Sequence, residues 1–373
     1  MAAYNVVDFG AKPDGKTDAA KAFLAAWEAT CGARKPATMV VPAGRFLVSQ
    51  ALFKGPCKNA RMKMFIEGTL VAPPGYSDIT QWITLKYVEG LSVYGGTLDG
   101  RGQEFWACKK ARRSCPYGAT MSIFASTGVT VRGATITAPG DSPNTDGIHV
   151  QMSSSVTIRG STMRTGDDCI SLGPGTAHVW IENIKCGPGH GIRSATSHLR
   201  AAACSLGGAA QEAGVQNITV RSVAFTGTQN GLRIKTWGRP SNGFVKGVTF
   251  EHAVMSNVQN PIVVDQNYCP NNINCPGQVI HLKQSHLHHT HASNLVSLWL
   301  QSSGIKISQV NFHDVRGSSA TQVAVKLDCS PSNPCTEVSL KDIKLTYRNK
   351  QSQSYCRNVK GTSSGVMNPP SCL

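Results

Sequence analysis

The chain has 373 residues, 40% of them hydrophobic and only 16% charged, which suits a large folded core and not a disordered segment. Its 37 Lys and Arg against 21 Asp and Glu leave a formal charge of +16, which favours a polyanionic partner. No run of about 18 apolar residues occurs, so a membrane-spanning helix is excluded; the basic residues are scattered, without zinc-finger spacing or interleaved aromatics, which disfavours nucleic acid.

Met1 is followed by no basic-then-apolar stretch, so a secretion signal is expected to be absent from this chain. The first predicted element is a helix over residues 18–30, with Ala22, Leu24, Ala25, Ala26 and Trp27 as its apolar positions. It is expected to cap the open end of a stack of strands. Beyond it short apolar–polar–apolar triplets recur. They are Leu91-Ser92-Val93, Val129-Thr130-Val131, Val156-Thr157-Ile158, Val179-Trp180-Ile181, Ile218-Thr219-Val220, Val248-Thr249-Phe250, Ile305-Lys306-Ile307 and Val338-Ser339-Leu340. Each reads as a half-buried strand, and the 37 glycines with frequent Asn supply the turns.

Strands that return every few tens of residues, without helical stripes between them, describe a solenoid whose coils bury their faces on one another. The predicted fold is therefore all-β, a parallel β-helix with a short N-terminal capping helix, in a single domain over residues 1–373. A β-sandwich would place tight hairpin turns between paired strands. Asn230-Gly231 and Asn242-Gly243 do not sit between alternating runs.

Thirteen cysteines are many for a reducing compartment. Close spacing suggests the pairs Cys31/Cys57, Cys108/Cys115, Cys169/Cys186, Cys269/Cys275, Cys329/Cys335 and Cys356/Cys372, with Cys204 left over. Spacing does not decide connectivity. No C-x-x-C occurs, so a secreted, disulfide-bearing protein is expected rather than a zinc site.

In a parallel stack, equivalent residues of neighbouring coils lie about 4.8 Å apart. Offsets from the triplets bring Asp146, Asp167, Asp168, His190, Arg233, Lys235 and Tyr268 to similar phase on consecutive coils. Crowded carboxylates raise the pKa of at least one member. An acid and an opposing carboxylate are what glycoside hydrolysis needs. Arg233 and Lys235, alternate residues of one strand, project to one face and can hold a sugar carboxylate.

Asn144-Thr145-Asp146-Gly147, Gly166-Asp167-Asp168-Cys169, Gly189-His190-Gly191 and Arg233-Ile234-Lys235 stand in the order, and roughly the spacing, of the four motifs of polygalacturonases. The chain resembles the plant type of that family, the pectin-cleaving inverting hydrolases of glycoside hydrolase family 28. The segments starting at Tyr4, Gly96 and Asp265 resemble it too. The resemblance implies a right-handed parallel β-helix, no metal and no cofactor. It implies Asp167 as general acid, Asp146 and Asp168 as the pair that positions and activates water, and His190 as support for the acid's protonation state. Arg233, Lys235, Tyr268 and Asn144 would bind substrate, and Asn144 would also shape a turn. It also implies a Cys169/Cys186 disulfide, an acidic polysaccharide partner, a monomer, and action outside the cell in the wall.

Three departures stand out. Residues 193–203 intervene where the family usually continues as Ser-Ile-Gly-Ser-Leu-Gly, and residues 279–301, rich in histidine, interrupt the next coil. Both read as atypical insertions, and the stretch between Tyr117 and Asp146 reads as about one coil short. Two rival functions therefore stay open: a catalytically impaired pectin-binding wall protein, and a Ca²⁺-dependent pectate lyase using the Asp cluster.

Overall fold

The computed structural model describes residues 2–73, 81–101, 118–140, 145–194, 206–269 and 302–373. Asn144, Cys108, Cys115, Cys204, Cys275, residues 195–203 and residues 279–301 lie outside the described residues.

Among the described residues the strands form one sheet of 17 strands and one of ten. The ten-stranded sheet runs in chain order from Ala51–Lys54 through Gln81–Lys86, Gly118–Phe124, Thr145–Gln151, Asp168–Leu172, Gly191–Ser194, Asn230–Trp237, Asn260–Tyr268 and Val323–Asp328 to Gln353–Arg357. All its pairings are parallel. Parallel neighbours need a crossover, and here each crossover runs through one or two strands of the larger sheet. Every coil thus adds a layer to both sheets. The chain is a right-handed parallel β-helix, as the triplets predict. The sheet is unbroken at the stretch read as short: Gly118–Phe124 pairs with Gln81–Lys86 on one side and Thr145–Gln151 on the other.

The apolar members of the triplets build the core. Val93, Val131, Ile158, Ile181, Val220 and Phe250 are partners in that order across successive coils, and each is at most 3% exposed. Burying such a side chain contributes roughly 1.5–3 kcal/mol. One triplet is assigned differently. Ile307 pairs with Val245, while Val310 and Phe312 pair with Val248 and Phe250. Phe312 stacks on Phe250 with centroids 5.0 Å apart and hands the row to Leu340. The repeat unit is therefore Val310-Asn311-Phe312. The strand Lys306–Ser319 continues an alternation that starts before it, so the sequence offers two overlapping triplets and only the register separates them.

The helix forms at Ala20–Gly32, and its buried residues Ala20, Ala22, Phe23, Ala26, Trp27 and Thr30 lie along a helical stripe. Phe23, not Leu24, is the anchor. It meets Phe46 edge-on at 5.7 Å, and Trp27 meets Phe53 at 5.5 Å while its indole N–H donates to the Lys54 carbonyl at 3.0 Å. Four expected disulfides are present among the described residues: Cys31–Cys57, Cys169–Cys186, Cys329–Cys335 and Cys356–Cys372.

Candidate active site

Four strands of the ten-stranded sheet share a short repeat. Gly147-Ile148-His149-Val150, Cys169-Ile170-Ser171-Leu172, Gly191-Ile192-Arg193-Ser194 and Gly231-Leu232-Arg233-Ile234 fall on consecutive coils. The second members pair as a buried core row, Ile148, Ile170, Ile192 and Leu232. Successive strand side chains alternate, so the third members, His149, Ser171, Arg193 and Arg233, form a polar row on the opposite face. The carboxylates gather at the start of these strands.

His190 is placed by its two glycines. Gly191 has φ +92°, and a Cβ there would strike the Asn230 carbonyl of the next coil. Gly189 has φ +141°, and its Cβ would lie 2.6 Å from the Asp167 carbonyl. The backbone can therefore close down on both sides, and the His190 amide donates to the Asp167 carbonyl at 2.8 Å. The imidazole Nδ1 then stands 2.9 Å from Asp167 Oδ1, which also accepts the Asp168 amide at 2.9 Å. Burial pushes the Asp167 carboxyl up, but the His190 hydrogen bond and charge, helped by Arg193 and Lys235, hold it below the usual carboxylate range. Burial likewise pushes His190 down, and the bond and charge of Asp167, with Asp168, more than reverse this. Both shifts favour an imidazolium donating to a carboxylate. Asp167 keeps 15% of its side chain exposed and His190 36%, so this pair faces the solvent.

Asp168 is different. The ladder slips between Asp168 and Ile170, and such a bulge re-aims a side chain. The carboxyl is wholly buried. Burial first, then the neighbouring charges of Asp167 and Asp146, raise its pKa to about 7 against the opposing pull of Arg193 and Lys235. Arg193 Nη2 stands 2.5 Å from Asp168 Oδ2, with the two side chains 5% and 0% exposed. The contact is one of charge, since neither Asp168 oxygen receives a hydrogen bond of regular geometry. Asp146, 3% exposed, accepts the Ser171 hydroxyl at 2.6 Å on Oδ2.

The cations close the wall. Lys235 is 4% exposed and sets its Nζ 3.7 Å over the Tyr268 ring, which meets Trp237 edge-on at 5.4 Å. A second slip, between Lys235 and Trp237, brings Tyr268 opposite. Burial, and after it repulsion from Arg193, holds Arg233 below its ordinary value. The same two causes, with Arg233 added, hold Lys235 well below its own.

All the residues singled out from sequence, Asn144 apart, thus stand together in one wall. Sequence reasoning missed three members. The sequence places Arg193 at the start of an insertion, yet the strand Gly191–Ser194 runs through it and pairs it with Ser171 and Arg233. His149 and Ser171 were missed as well. The four-residue repeat carries the signal for all three: its third position lies on the polar face of the sheet. Ser194 occupies the fourth position, in an aliphatic row with Val150, Leu172 and Ile234, and its buried hydroxyl has no hydrogen-bond partner among the described residues.

Donor atoms of Asp167, Asp168 and His190 lie within 4.8 Å of one another. As a cation site they suit poorly, because His190 is already on Asp167 and Arg193 on Asp168, and Lys235 adds its positive charge to both carboxyls.

The family model for Glycosyl hydrolases family 28 matches residues 31–120, 117–287 and 294–368. A polygalacturonase of Prunus persica is 47% identical, over 99% of this chain and 93% of its own length. An exopolygalacturonase of Platanus acerifolia is 36% identical, over 98% and 96%. Among solved structures, an exopolygalacturonase from Thermotoga maritima aligns with a TM-score of 0.67 at 16% identity, over 99% of this chain and 92% of that one. An endo-xylogalacturonan hydrolase from Aspergillus tubingensis gives 0.71 at 20%, over 98% and 100%. These likenesses, joined to the motifs on the wall, place the chain among the glycoside hydrolases of family 28.

Proposed function

We propose that the chain hydrolyses the α-1,4 bonds between galacturonates of de-esterified pectin, with inversion. The observation that carries this reading is the split among three clustered carboxyls beside a cationic wall: Asp167 ionised and solvent-facing, Asp168 buried with its pKa raised, and Asp146 hydrogen-bonded from behind. Two carboxyl groups pushed apart in ionisation are what acid–base cleavage of a glycoside requires. Relatives named polygalacturonase supply the substrate class.

The roles follow the family resemblance, and the positions of the residues support them. Asp167 is the general acid, reachable by a leaving-group oxygen, and the proton it delivers is stored on His190, 2.9 Å away. Asp146 takes the proton of the attacking water, and Asp168 helps position that water. Arg233, Lys235, Tyr268 and Asn144 bind the uronate. The charge of +16 supports a polyanionic substrate and the disulfides an oxidising setting outside the cell, where the chain is read as acting as a monomer.

The test incubates purified protein, with an Asp167→Asn control, with polygalacturonate at mildly acidic pH. New reducing ends and the ultraviolet absorbance of unsaturated product are followed together, and proton NMR reads the first anomer released. Expected are reducing ends of inverted configuration without absorbance, lost in the control. Absorbance that needs Ca²⁺ would overturn the reading in favour of a lyase.

One observation favours a second reading, a pectin-binding wall protein of impaired activity. Arg193 sits against Asp168 and leaves neither of that carboxyl's oxygens open to water. Folded protein that binds pectate without turnover would mark this case, and Arg193→Ser would then restore reducing-end release.

A further inference from the structure

Behind Asp146 lies a polar chain that the roles above leave unused. His149 and Ser171 expose none of their surface and Gln151 only 6%. The Ser171 hydroxyl donates to Asp146 Oδ2 at 2.6 Å. A hydroxyl has one hydrogen, and here the carboxylate takes it. Toward its other neighbour, His149 Nδ1 at 2.8 Å, Ser171 can only accept. The network therefore assigns the proton of His149 to Nδ1. On the far side Nε2, an acceptor in this tautomer, lies 3.3 Å from Gln151 Oε1, so the Gln151 amide bonds the ring only when turned to present its NH₂.

Burying an imidazole, a hydroxyl and an amide costs free energy unless each is bonded. An aliphatic filling would meet the need for stability alone, as the adjoining row Ile148, Ile170 and Ile192 does. The chain of bonds instead ends on Asp146. Beside Asp146, the charged groups beyond Ser171 are Asp168 on its own strand and Arg193, its ladder partner on the next coil. On the other side stands the uncharged Ser122.

We propose that His149 and Ser171 are positioning residues for Asp146: the imidazole fixes the hydroxyl, and the hydroxyl fixes Oδ2 so that Oδ1 is turned to the attacking water. The inference rests on the reading of Asp146 as the water-activating carboxylate. A positioned base contributes about 10²- to 10⁴-fold to rate, and loss of its orientation removes part of that, roughly 10- to 100-fold in kcat.

The experiment compares Ser171→Ala, His149→Leu, His149→Asn, the double Ser171→Ala/His149→Leu and Asp146→Asn in the full chain. Initial rates on polygalacturonate and thermal melting are recorded for each, in the wild-type background or, if it is more active, in Arg193→Ser. Ser171→Ala and His149→Leu are expected to lower kcat roughly 10- to 100-fold with KM unchanged. The double variant is expected to be no worse than the poorer single. His149→Asn, which keeps an N–H near the Nδ1 position, is expected to recover most of the loss. Wild-type kcat in both single variants, beside a dead Asp146→Asn, would overturn the positioning role and leave the hydrolase reading intact. A rate loss that His149→Asn does not recover, and that tracks the fall in melting temperature, would overturn it as a purely structural effect. An active Asp146→Asn, or no turnover in either background, would overturn the reading of Asp146 and this inference with it.

Discussion

Asp168 makes the pH dependence of stability a direct probe of the site. Its pKa rises from 3.8 to about 7 on folding. Between those values the native state holds a proton that the unfolded chain has released, so stability falls as pH rises. Three units at about 1.4 kcal/mol each amount to ~4 kcal/mol lost between pH 4 and pH 8. His190 acts in the same direction: its folded pKa is raised from 6.5, so its contribution is complete below 6.5 and is lost as pH rises through the folded value. Asp167, held below 3.8, contributes stability above that value and loses it as pH falls further. The native chain is therefore most stable in mild acid.

Asp168→Asn keeps the shape and removes the titration. Relative to wild type it should be nearly neutral at pH 4, where Asp168 already carries its proton, and stabilising by about 4 kcal/mol at pH 8. For a chain of 373 residues the unfolding entropy converts that into about 5 °C of melting temperature. Calorimetry of both proteins at several pH values is the assay. The competing effect is the Arg193 ion pair. If its attraction outweighs burial and the two neighbouring carboxylates, Asp168→Asn will instead destabilise most at pH 8, where the pair is charged. That outcome, or a difference that does not vary with pH, would refute the reasoning.

Lys235→Met should raise KM for polygalacturonate roughly 10- to 150-fold, the equivalent of about 1.5–3 kcal/mol for a hydrogen bond to a charged group, with a smaller change in kcat; steady-state kinetics would show it. Gly191→Ala should lower stability by about 3 kcal/mol or more, because a Cβ at φ +92° meets the Asn230 carbonyl, and melting together with activity would register both the loss and the displaced His190. Ser194→Val should raise stability by about 1–2 kcal/mol, since it replaces an unbonded hydroxyl with the aliphatic group its row calls for; unfolding in urea would measure the gain.

The fold was legible because a solenoid repeats its instructions. Each triplet states one strand of one coil, and seven of the eight recur at equivalent places in the ladder. The eighth was misplaced at Ile305 because apolar alternation continues from it into Val310 and Phe312, and alternation alone carries no register. The helix was found with the wrong anchor for a related reason. A run such as Phe23-Leu24-Ala25-Ala26-Trp27 offers two faces, and only packing against Phe46 and Phe53 chooses the one through Phe23. The charged site residues other than Arg193 were legible by type and spacing. His149 and Ser171 were not, since a buried imidazole and hydroxyl look like ordinary strand residues until the cross-strand partner is known.

Arg193 is where the departure from the family pattern becomes physical, and its two effects pull apart. Toward Asp168 it opposes the rise in pKa that burial and two carboxylates impose, while its guanidinium covers the carboxyl. Toward Arg233 and Lys235 it is a like charge and lowers the pKa of both. Depressed pKa values on cations say that the wall is short of anions, and a uronate carboxylate would supply one. On the proposed function, Arg193 is therefore expected to favour binding of an acidic sugar and to hinder the bond cleavage. Replacing it by Ser should move the two kinetic constants in opposite senses of benefit: KM rises as the wall loses a cation, and kcat rises as Asp168 is uncovered. The acid–base profile should move as well, because without the guanidinium Asp168 releases its proton at still higher pH, and the fall in stability, which still begins near the unfolded value of 3.8, should extend to correspondingly higher pH. A fall in kcat together with a rise in KM would show that Arg193 serves the transition state. In that case the residue belongs to the working wall, and the covering contact opens when substrate arrives.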